Sequence, residues 1–249
     1  MTLSLSPDLL AGSIAAFLVG LGKGGLASMG TFGVPIMALT MSPIRAAAIL
    51  LPVFVVSDVF ALWLYRREFS LRNLRILIPA ATVGIATGWI TASRISDAGV
   101  GILIGILGIG FCVNTWRVRS HPFVPHAADV PRGTLWGVVL GFASFVSHAG
   151  AAPFQIYVAP QRLPKLVYAG TSAITFAAVN ALKLAPYWAL GQFSAPNLRL
   201  SAYLLLPAII GTQVARHIVR RIPERAYYAF LQVALMVVSV ELIVRGLRT

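Results

Sequence analysis

The sequence predicts an all-α polytopic membrane protein built from two inverted repeats. Each repeat is expected to contain a broken or re-entrant helical hairpin followed by three transmembrane helices. Three observations lead to this prediction. The chain is very apolar, two of its apolar segments are interrupted near the middle, and the same order of features occurs in both halves.

The composition is typical of a protein embedded in a lipid bilayer. Of the 249 residues, 58% are hydrophobic and 11% are charged, whereas soluble domains carry about 25% charged residues. The net charge of +13 comes mostly from arginines in short loops between apolar runs. This distribution favours a role in membrane orientation over nucleic-acid binding. No basic residue precedes Lys23, so the first segment lacks the charged start of a secretory signal and is expected to be retained.

Eight apolar segments follow one another along the chain, and six of them have the length of an ordinary membrane span. These six cover residues 44–65, 74–92, 98–117, 165–190, 198–216 and 226–245. The first segment, 9–40, is too long for one helical span and too short for two. It is interrupted by glycines and a lysine at 22–25, and the fifth segment, 133–159, is interrupted at 147–150. These two segments are the predicted hairpins.

The two halves share an order of features that indicates an internal duplication. Pro35 aligns with Pro153, while Asp58 aligns with Asn180 at the same offset that places Tyr65 on Tyr187. We therefore divide the chain into a first repeat (1–119), a cytoplasmic linker (120–132) and a second repeat (133–249).

Loop charge predicts how the repeats are oriented. If all eight segments crossed the membrane, the loop arginines and lysines would divide almost evenly, ten against eight. If both hairpins enter and leave on one side, the division is five against thirteen, which obeys the positive-inside rule. The smaller group consists of Arg45, Arg94, Arg199, Arg245 and Arg248. The repeats are then inverted, a common plan among transporters, and both termini lie outside the cell.

Ionisable residues at membrane depth are candidates for function, because burying a charge in hydrocarbon is costly. Lys23, between glycines at the first break, is expected to bind an anion together with backbone N–H groups; the alternative is a lysine that reaches the membrane interface. His148, at the second break, is expected either to donate a hydrogen bond to an oxyanion or to bond a local carbonyl. Lys183 shares a helix face with Asn180 and is the more functional candidate, whereas Asp58 is more simply a structural partner of a lysine.

Other features narrow the class of protein. Thr171 has a hydroxyl that can touch a substrate oxygen, although such groups more often bond the preceding helical turn. The sequence has no Walker motif, no acidic pair suited to Mg²⁺-diphosphate chemistry and no His and Cys cluster. We therefore predict neither a catalytic site nor a metal or other cofactor. Cationic candidates outnumber anionic ones at membrane depth, which favours an anionic substrate.

Several stretches resemble the sulfite exporter TauE/SafE family. GLGKGGLASMGTFGVPIMAL at 20–39 and MSPIRAAAILLPVFVVSDVFALWLY at 41–65 are similar to its first repeat. SFVSHAGAAP at 144–153 and LPKLVYAGTSAITFAAVNALKLAPYWALG at 163–191 are similar to the second. The resemblance extends over nearly the whole chain, although Ala151 and Ala152 stand where many relatives have glycine or proline.

The resemblance implies a multi-pass permease of the inner membrane that moves a small sulfur-containing anion, such as sulfite or an organosulfonate, outward. The substrate-binding positions that it implies are Lys23, Gly24, Gly25, His148, Gly150, Thr171, Asn180 and Lys183. Asp58 and His148 are the candidates for coupling to protons, and rocking of one half against the other is expected to expose the site alternately. Two alternatives remain open, a passive anion channel and a membrane-embedded enzyme acting on a phosphorylated lipid.

Overall fold

The computed structural model describes residues 7–37, 39–41, 43–91, 97–117, 126–189, 191 and 193–248, and no strand occurs among them. In the first half the helices are α1 (Pro7–Lys23), a 3₁₀ helix (Ala27–Phe32), α2 (Gly33–Met37), α3 (Pro43–Tyr65), α4 (Leu71–Thr91) and α5 (Asp97–Arg117). In the second half they are α6 (Val130–Ser147), α7 (Ala151–Val158), a 3₁₀ helix (Ala159–Gln161), α8 (Lys165–Ala189), α9 (Ala195–Arg221) and α10 (Glu224–Arg248).

The long helices confirm the predicted all-α membrane architecture. Within the described residues, α3 from Arg45 onward, α4, α9 and α10 are long and apolar enough to cross a bilayer. α5 and α8 contain 21 and 25 residues, which is also spanning length. Several helices differ from the predicted segments by a few residues: α4 and α6 begin before residues 74 and 133, and α9 and α10 extend beyond 198–216 and 226–245 at both ends. Of the predicted linker, residues 120–125 lie outside the described residues.

Side-chain caps explain where three of these helices begin. Ser70 precedes α4 and its hydroxyl accepts from the backbone N–H of Asn73 at 3.4 Å; Ser194 precedes α9 and accepts from Asn197 at 3.4 Å. Asp129 caps α6 by accepting from the N–H of Arg132 at 3.3 Å. Each cap satisfies one of the N–H groups that a helix start leaves without an intrahelical partner. The two serine caps occupy matching places in the two halves.

Both interrupted segments fold back on themselves. In the first, a β-carbon at Gly33 would lie 2.9 Å from the side chain of Val19, so the chain after the break runs beside α1. In the second, the Tyr157 hydroxyl near the end of α7 donates to the carbonyl of Asp129 at 3.0 Å, just before α6 begins. The start and the end of this segment therefore lie at the same end of the molecule.

The two halves interlock through helix pairs that come into very close contact. α1 packs along α9, α6 packs along α4, and α5 packs along α10. A β-carbon at Gly20 would lie 2.0 Å from the carbonyl oxygen of Ala208, and one at Gly141 would lie 2.1 Å from that of Ala81. Both crossings need glycine because the backbones approach more closely than any side chain allows, as is common between membrane helices. Each hairpin is thus held mainly by a helix from the other half.

Candidate functional site

The two helix breaks and the middle of α3 and α8 surround a small cavity of about 50 Å³. The residues that line it are Val19, Gly22, Lys23, Gly30, Thr31, Phe54, Ser144, His148, Ala151, Phe176, Asn180 and Lys183. A cavity needs about 10–15 Å³ to admit one water, so this one admits three or four groups of that size. Six of these residues are polar or charged: Lys23, Thr31, Ser144, His148, Asn180 and Lys183.

The first break follows directly from glycine. α1 ends at Lys23, and Gly25 adopts a φ of +118°, which side-chain-bearing residues rarely adopt. The carbonyl of Gly24 accepts from the Tyr65 hydroxyl, and that of Gly25 accepts from Tyr227 at 2.8 Å. These two tyrosines satisfy carbonyls that the break releases from the helix, so the tip of this hairpin is fixed in place.

The second break is made by a left-handed residue that is not glycine. His148 follows the last residue of α6 with a φ of 55°. Its N–H still bonds the carbonyl of Ala143, which completes the final helical turn. A non-glycine residue in this conformation is uncommon, and here the consequence is that the imidazole points into the cavity between α6 and α7.

Lys23 forms a buried ion pair with Asp58 of α3. The Lys23 Nζ lies 2.5 Å from Asp58 Oδ1, and the two residues are only 6% and 3% exposed. The ammonium also lies 5.1 Å and 5.9 Å from the ring centroids of Phe54 and Phe176, within cation–π distance. Lys23 therefore lies on the cavity wall, but its charge is balanced by a carboxylate.

Asn180 completes the surroundings of Asp58. Its Nδ2 donates to Asp58 Oδ2 at 2.8 Å. These two residues were aligned with each other by the internal repeat, and the structure places them in direct contact between α3 and α8. Two positions that the predicted repeat aligns thus meet beside the cavity.

Lys183 is the second buried cation, and its surroundings are different. Its Nζ lies 3.3 Å from the Ser144 carbonyl oxygen, 3.2 Å from the Ser144 hydroxyl and 3.5 Å from His148 Nδ1. Tyr187 lies 3.0 Å from the other imidazole nitrogen of His148. Because the ammonium can only donate, Nδ1 is assigned as the acceptor and Nε2–H as the donor to the Tyr187 oxygen. In the part of the chain that the structure describes, no carboxylate lies within ion-pair distance of Lys183.

When both lysines are protonated, Asp58 is ionised and His148 is neutral, the site carries one net positive charge. Lys183 is 1% exposed. A charge buried away from water is costly unless it meets an opposite charge or several hydrogen-bond acceptors. The arrangement is electrostatically suited to a small anion.

The structure brings some of the predicted site residues together and places others elsewhere. Lys23, His148, Asn180 and Lys183 all line the cavity, whereas Gly24, Gly25, Gly150 and Thr171 do not. The Thr171 hydroxyl donates to Val167 O one turn back, at 2.7 Å, and accepts from the Ser70 N–H at 2.9 Å. The hydrogen bond from Ser70 holds α8 to the start of α4.

Sequence reasoning missed three kinds of residue at the cavity. Ser144 lies in an apolar stretch of α6, and no local pattern separates it from other membrane serines. Phe54 and Phe176 are single aromatic residues within apolar helices, so the sequence does not show that their rings face Lys23. Tyr187 was noticed as a repeat partner of Tyr65; that shared position was the available signal, since both hydroxyls contact a helix break.

The helical architecture and the buried polar cavity define a polytopic α-helical membrane protein with a solute-sized site between two broken hairpins. The family model of the sulfite exporter TauE/SafE family matches residues 11–242. The chain therefore belongs to this family of membrane permeases, which are transporters rather than enzymes. Neither the curated proteins nor the solved structures contain a match to the chain.

Proposed function

We propose that this protein is a secondary transporter that exports a small sulfur-containing anion, such as sulfite or an organosulfonate, from the cell. The anion binds in the cavity between the two breaks. The observation that carries the proposal is Lys183, a fully buried ammonium that contacts neutral groups and faces this cavity. Membership of the TauE/SafE family supports the same class of substrate.

The size and chemistry of the cavity support a compact oxyanion. Room for roughly three or four water-sized groups suits the oxygens of a sulfite or sulfonate head better than a bulky organic molecule. Lys183 supplies a charge, and the Ser144 hydroxyl supplies a donor beside it. Ala151, the first residue of α7, lies on the same wall. The N–H groups in the first turn of a helix lack intrahelical partners and can donate to an anion. Together these groups replace part of the hydration shell of the anion.

We further propose that both hairpins are re-entrant, that the repeats are inverted, and that both termini lie outside. The contact of Tyr157 with Asp129 supports a hairpin that returns to its starting side. Arg45 Nε lies 3.4 Å from Asn197 Oδ1, and Lys165 Nζ lies 3.0 Å from the carbonyl of Arg220. These contacts join residues that the re-entrant arrangement assigns to the same membrane face, outer for the first pair and cytoplasmic for the second.

The helix packing supports moving bodies that mix the two halves. Since α1 is held against α9 and α6 against α4 through backbone contact at glycines, separating the sequence halves would break these close contacts. We infer that α1 moves together with α9, and α4 together with α6. The first pair packs against α3 and the second against α8, and α3 and α8 pack on each other beside the cavity. Small rotations at that contact would open the cavity to one side at a time.

A transport assay in proteoliposomes tests the function. Purified protein is reconstituted, and radiolabelled sulfite, methanesulfonate and sulfate are offered with and without unlabelled anion inside. We expect at least one anion to cross faster than in empty liposomes and to be accelerated by internal anion, which is the signature of a carrier. A channel would show no such acceleration, and a lipid enzyme would form product without net movement. Equal rates in protein-containing and empty liposomes would refute the transporter.

The role of Lys183 is tested with a matched control on the same helix. Lys183→Gln removes the uncompensated charge, so we expect the transport rate at subsaturating anion to fall by at least about tenfold, or ~1.4 kcal/mol of binding. Lys165→Gln changes a lysine at the start of α8 that bonds backbone carbonyls away from the cavity, and its rate per folded protein should stay near wild type. A similar loss in both variants would show that the effect is not local to the site.

Single-cysteine labelling tests the topology. In a Cys112→Ala background, Arg67→Cys lies after α3 and Arg248→Cys ends α10, both at exposed positions. If the second hairpin is re-entrant, five spans separate these sites and they lie on opposite faces. If it crosses, six spans separate them and they share a face. We expect a membrane-impermeant maleimide to label position 248 in intact cells and position 67 only after permeabilisation; labelling of both from outside would refute the inverted arrangement.

A further inference from the structure

Asp58 is a buried carboxylate that joins both halves of the site. The charged groups that face it are Lys23 from α1, at 2.5 Å, and Lys183 from α8, on the next helical turn after Asn180. Asn180 itself bonds the second carboxylate oxygen. No acidic side chain among the described residues lines the cavity itself. Asp58 is the one in contact with two residues that do, Lys23 and Asn180, so its charge bears directly on the site.

The charge of the occupied site decides which anions it can carry across the membrane interior. With Asp58 ionised the site is +1, so a monovalent anion makes it neutral. A divalent anion would leave it at −1, and an uncompensated charge in a low-dielectric interior is costly. If Asp58 takes up one proton, the site becomes +2 and a divalent anion makes it neutral. The number of protons bound is thus tied to the valence of the anion.

We propose that Asp58 is a proton-binding site that lets the protein carry divalent oxyanions, with one proton moving with each dianion and none with each monoanion. This inference rests on the proposed transport function. In the loading step, a proton from water forms an O–H bond at Oδ1 of Asp58 and the ion pair with Lys23 ends. The Lys23 ammonium, already on the cavity wall and held over two aromatic rings, then faces the anion. Release of the anion lets Lys23 return to Asp58 and the proton leave.

The geometry favours Asp58 over His148 as the proton carrier. His148 Nδ1 lies 3.5 Å from the Lys183 ammonium and its other nitrogen contacts Tyr187. A proton on the imidazole would place two cations side by side and remove the acceptor that Lys183 uses. A proton on Asp58 frees a cation for the substrate instead, so it produces the coupling directly.

The test compares two anions of fixed valence in proteoliposomes that contain a pH-sensitive dye. Sulfate stays divalent and methanesulfonate stays monovalent throughout the neutral range, whereas sulfite changes its charge there. For the wild type we expect about one proton to move per sulfate and none per methanesulfonate, from the charge balance above. Equal proton movement with both anions would overturn the proposal and would leave the transport function itself standing. If neither anion moves while sulfite does, sulfite flux against external pH at constant sulfite dianion concentration provides the same comparison.

Variants assign the proton to a residue. Asp58→Asn fixes the site in a state that resembles the protonated one, so sulfate transport should become independent of proton movement, and the preference for sulfate over methanesulfonate should rise by at least about tenfold, ~1.4 kcal/mol. Asp58→Glu keeps a carboxylate and should keep the coupling. His148→Gln should keep the proton-to-sulfate ratio even where it slows transport. A wild-type ratio in Asp58→Asn, or loss of the ratio in His148→Gln, would refute the assignment; if Asp58→Asn does not fold, the glutamate variant and the wild-type valence comparison still decide.

Discussion

Breaking the Lys23–Asp58 pair from either side should destabilise the protein strongly, and removing both charges should not. The pair is buried at both ends, with 2.5 Å between Nζ and Oδ1. Deleting one partner of a buried pair leaves an uncompensated charge and typically costs about 3–5 kcal/mol, whereas replacing both with apolar groups is often neutral. The variants Lys23→Met and Asp58→Leu, singly and together, form the double-mutant cycle.

The structure also predicts which single variant is worse. After Lys23→Met, Asp58 keeps its hydrogen bond from Asn180 at 2.8 Å. After Asp58→Leu, the Lys23 ammonium keeps only its contacts with Phe54 and Phe176, worth about 0.5–2 kcal/mol each. Asp58→Leu also leaves the Asn180 amide without its acceptor, a further cost of about 1–3 kcal/mol. The lysine variant should therefore lie at the lower end of the range and the aspartate variant at the upper end.

Thermal unfolding in detergent measures these differences. Cys112 is the single cysteine and is buried, so a thiol-reactive fluorophore reports unfolding without an engineered cysteine. At roughly 2–4 °C per kcal/mol for a chain of this size, the single variants should lower Tm by roughly 6–20 °C. The double variant should recover most of that loss. Single-variant shifts below about 3 °C, or a double variant as unstable as the sum of the two, would show that the ion pair contributes little to stability.

Four further substitutions probe the helix packing and the charge of the site. Gly20→Ala places a methyl group 2.0 Å from a backbone carbonyl of α9 and should cost about 1–3 kcal/mol, whereas Gly110→Ala, with nothing within 4 Å, should gain up to ~1 kcal/mol of helix propensity; Tm shifts in the same direction would contradict this. Tyr227→Phe removes the hydrogen bond to the Gly25 carbonyl at the first break and should lower the free energy of unfolding by about 1–3 kcal/mol. Asn180→Asp adds a second carboxylate beside the cavity and should abolish stabilisation by anions. A retained anion-dependent rise in Tm would contradict the proposal that the site needs a net positive charge.

The positions of the two breaks could be predicted from the sequence because the local chemistry demands them. Glycines on both sides of Lys23 disfavour a continuous helix, and α1 does end at that lysine. The predicted interruption at 147–150 is equally clear in the structure, where α6 ends at Ser147. Segment length predicted that the first segment folds into a hairpin, because it is too long for one span and too short for two.

The partners within the site could not be predicted, because they depend on how helices far apart in sequence pack. A lysine partner for Asp58 was expected, but nothing local decides between Lys23 and Lys183. The choice follows from α1 and α3 meeting on one side of the cavity and α6 and α8 on the other. The exchange of hairpins between the halves has the same origin. The glycines at 20 and 141 were visible, but a glycine in an apolar helix does not specify which helix it meets.

The contact of Asp58 with Asn180 shows how a duplicated fold can hold an asymmetric charge. The predicted repeat aligns these two positions, and they lie 2.8 Å apart, Nδ2 to Oδ2, so the residues that occupy them act on each other directly. Two carboxylates there would repel each other and would also balance both lysines, leaving no net charge for a substrate. Two amides would leave both lysines uncompensated in the membrane interior. One carboxylate and one amide balance one buried lysine and leave the other for an anion. This combination also retains a single carboxylate that can take up a proton. The difference between the predicted repeats at this one position is therefore what leaves a positive charge for the proposed anion.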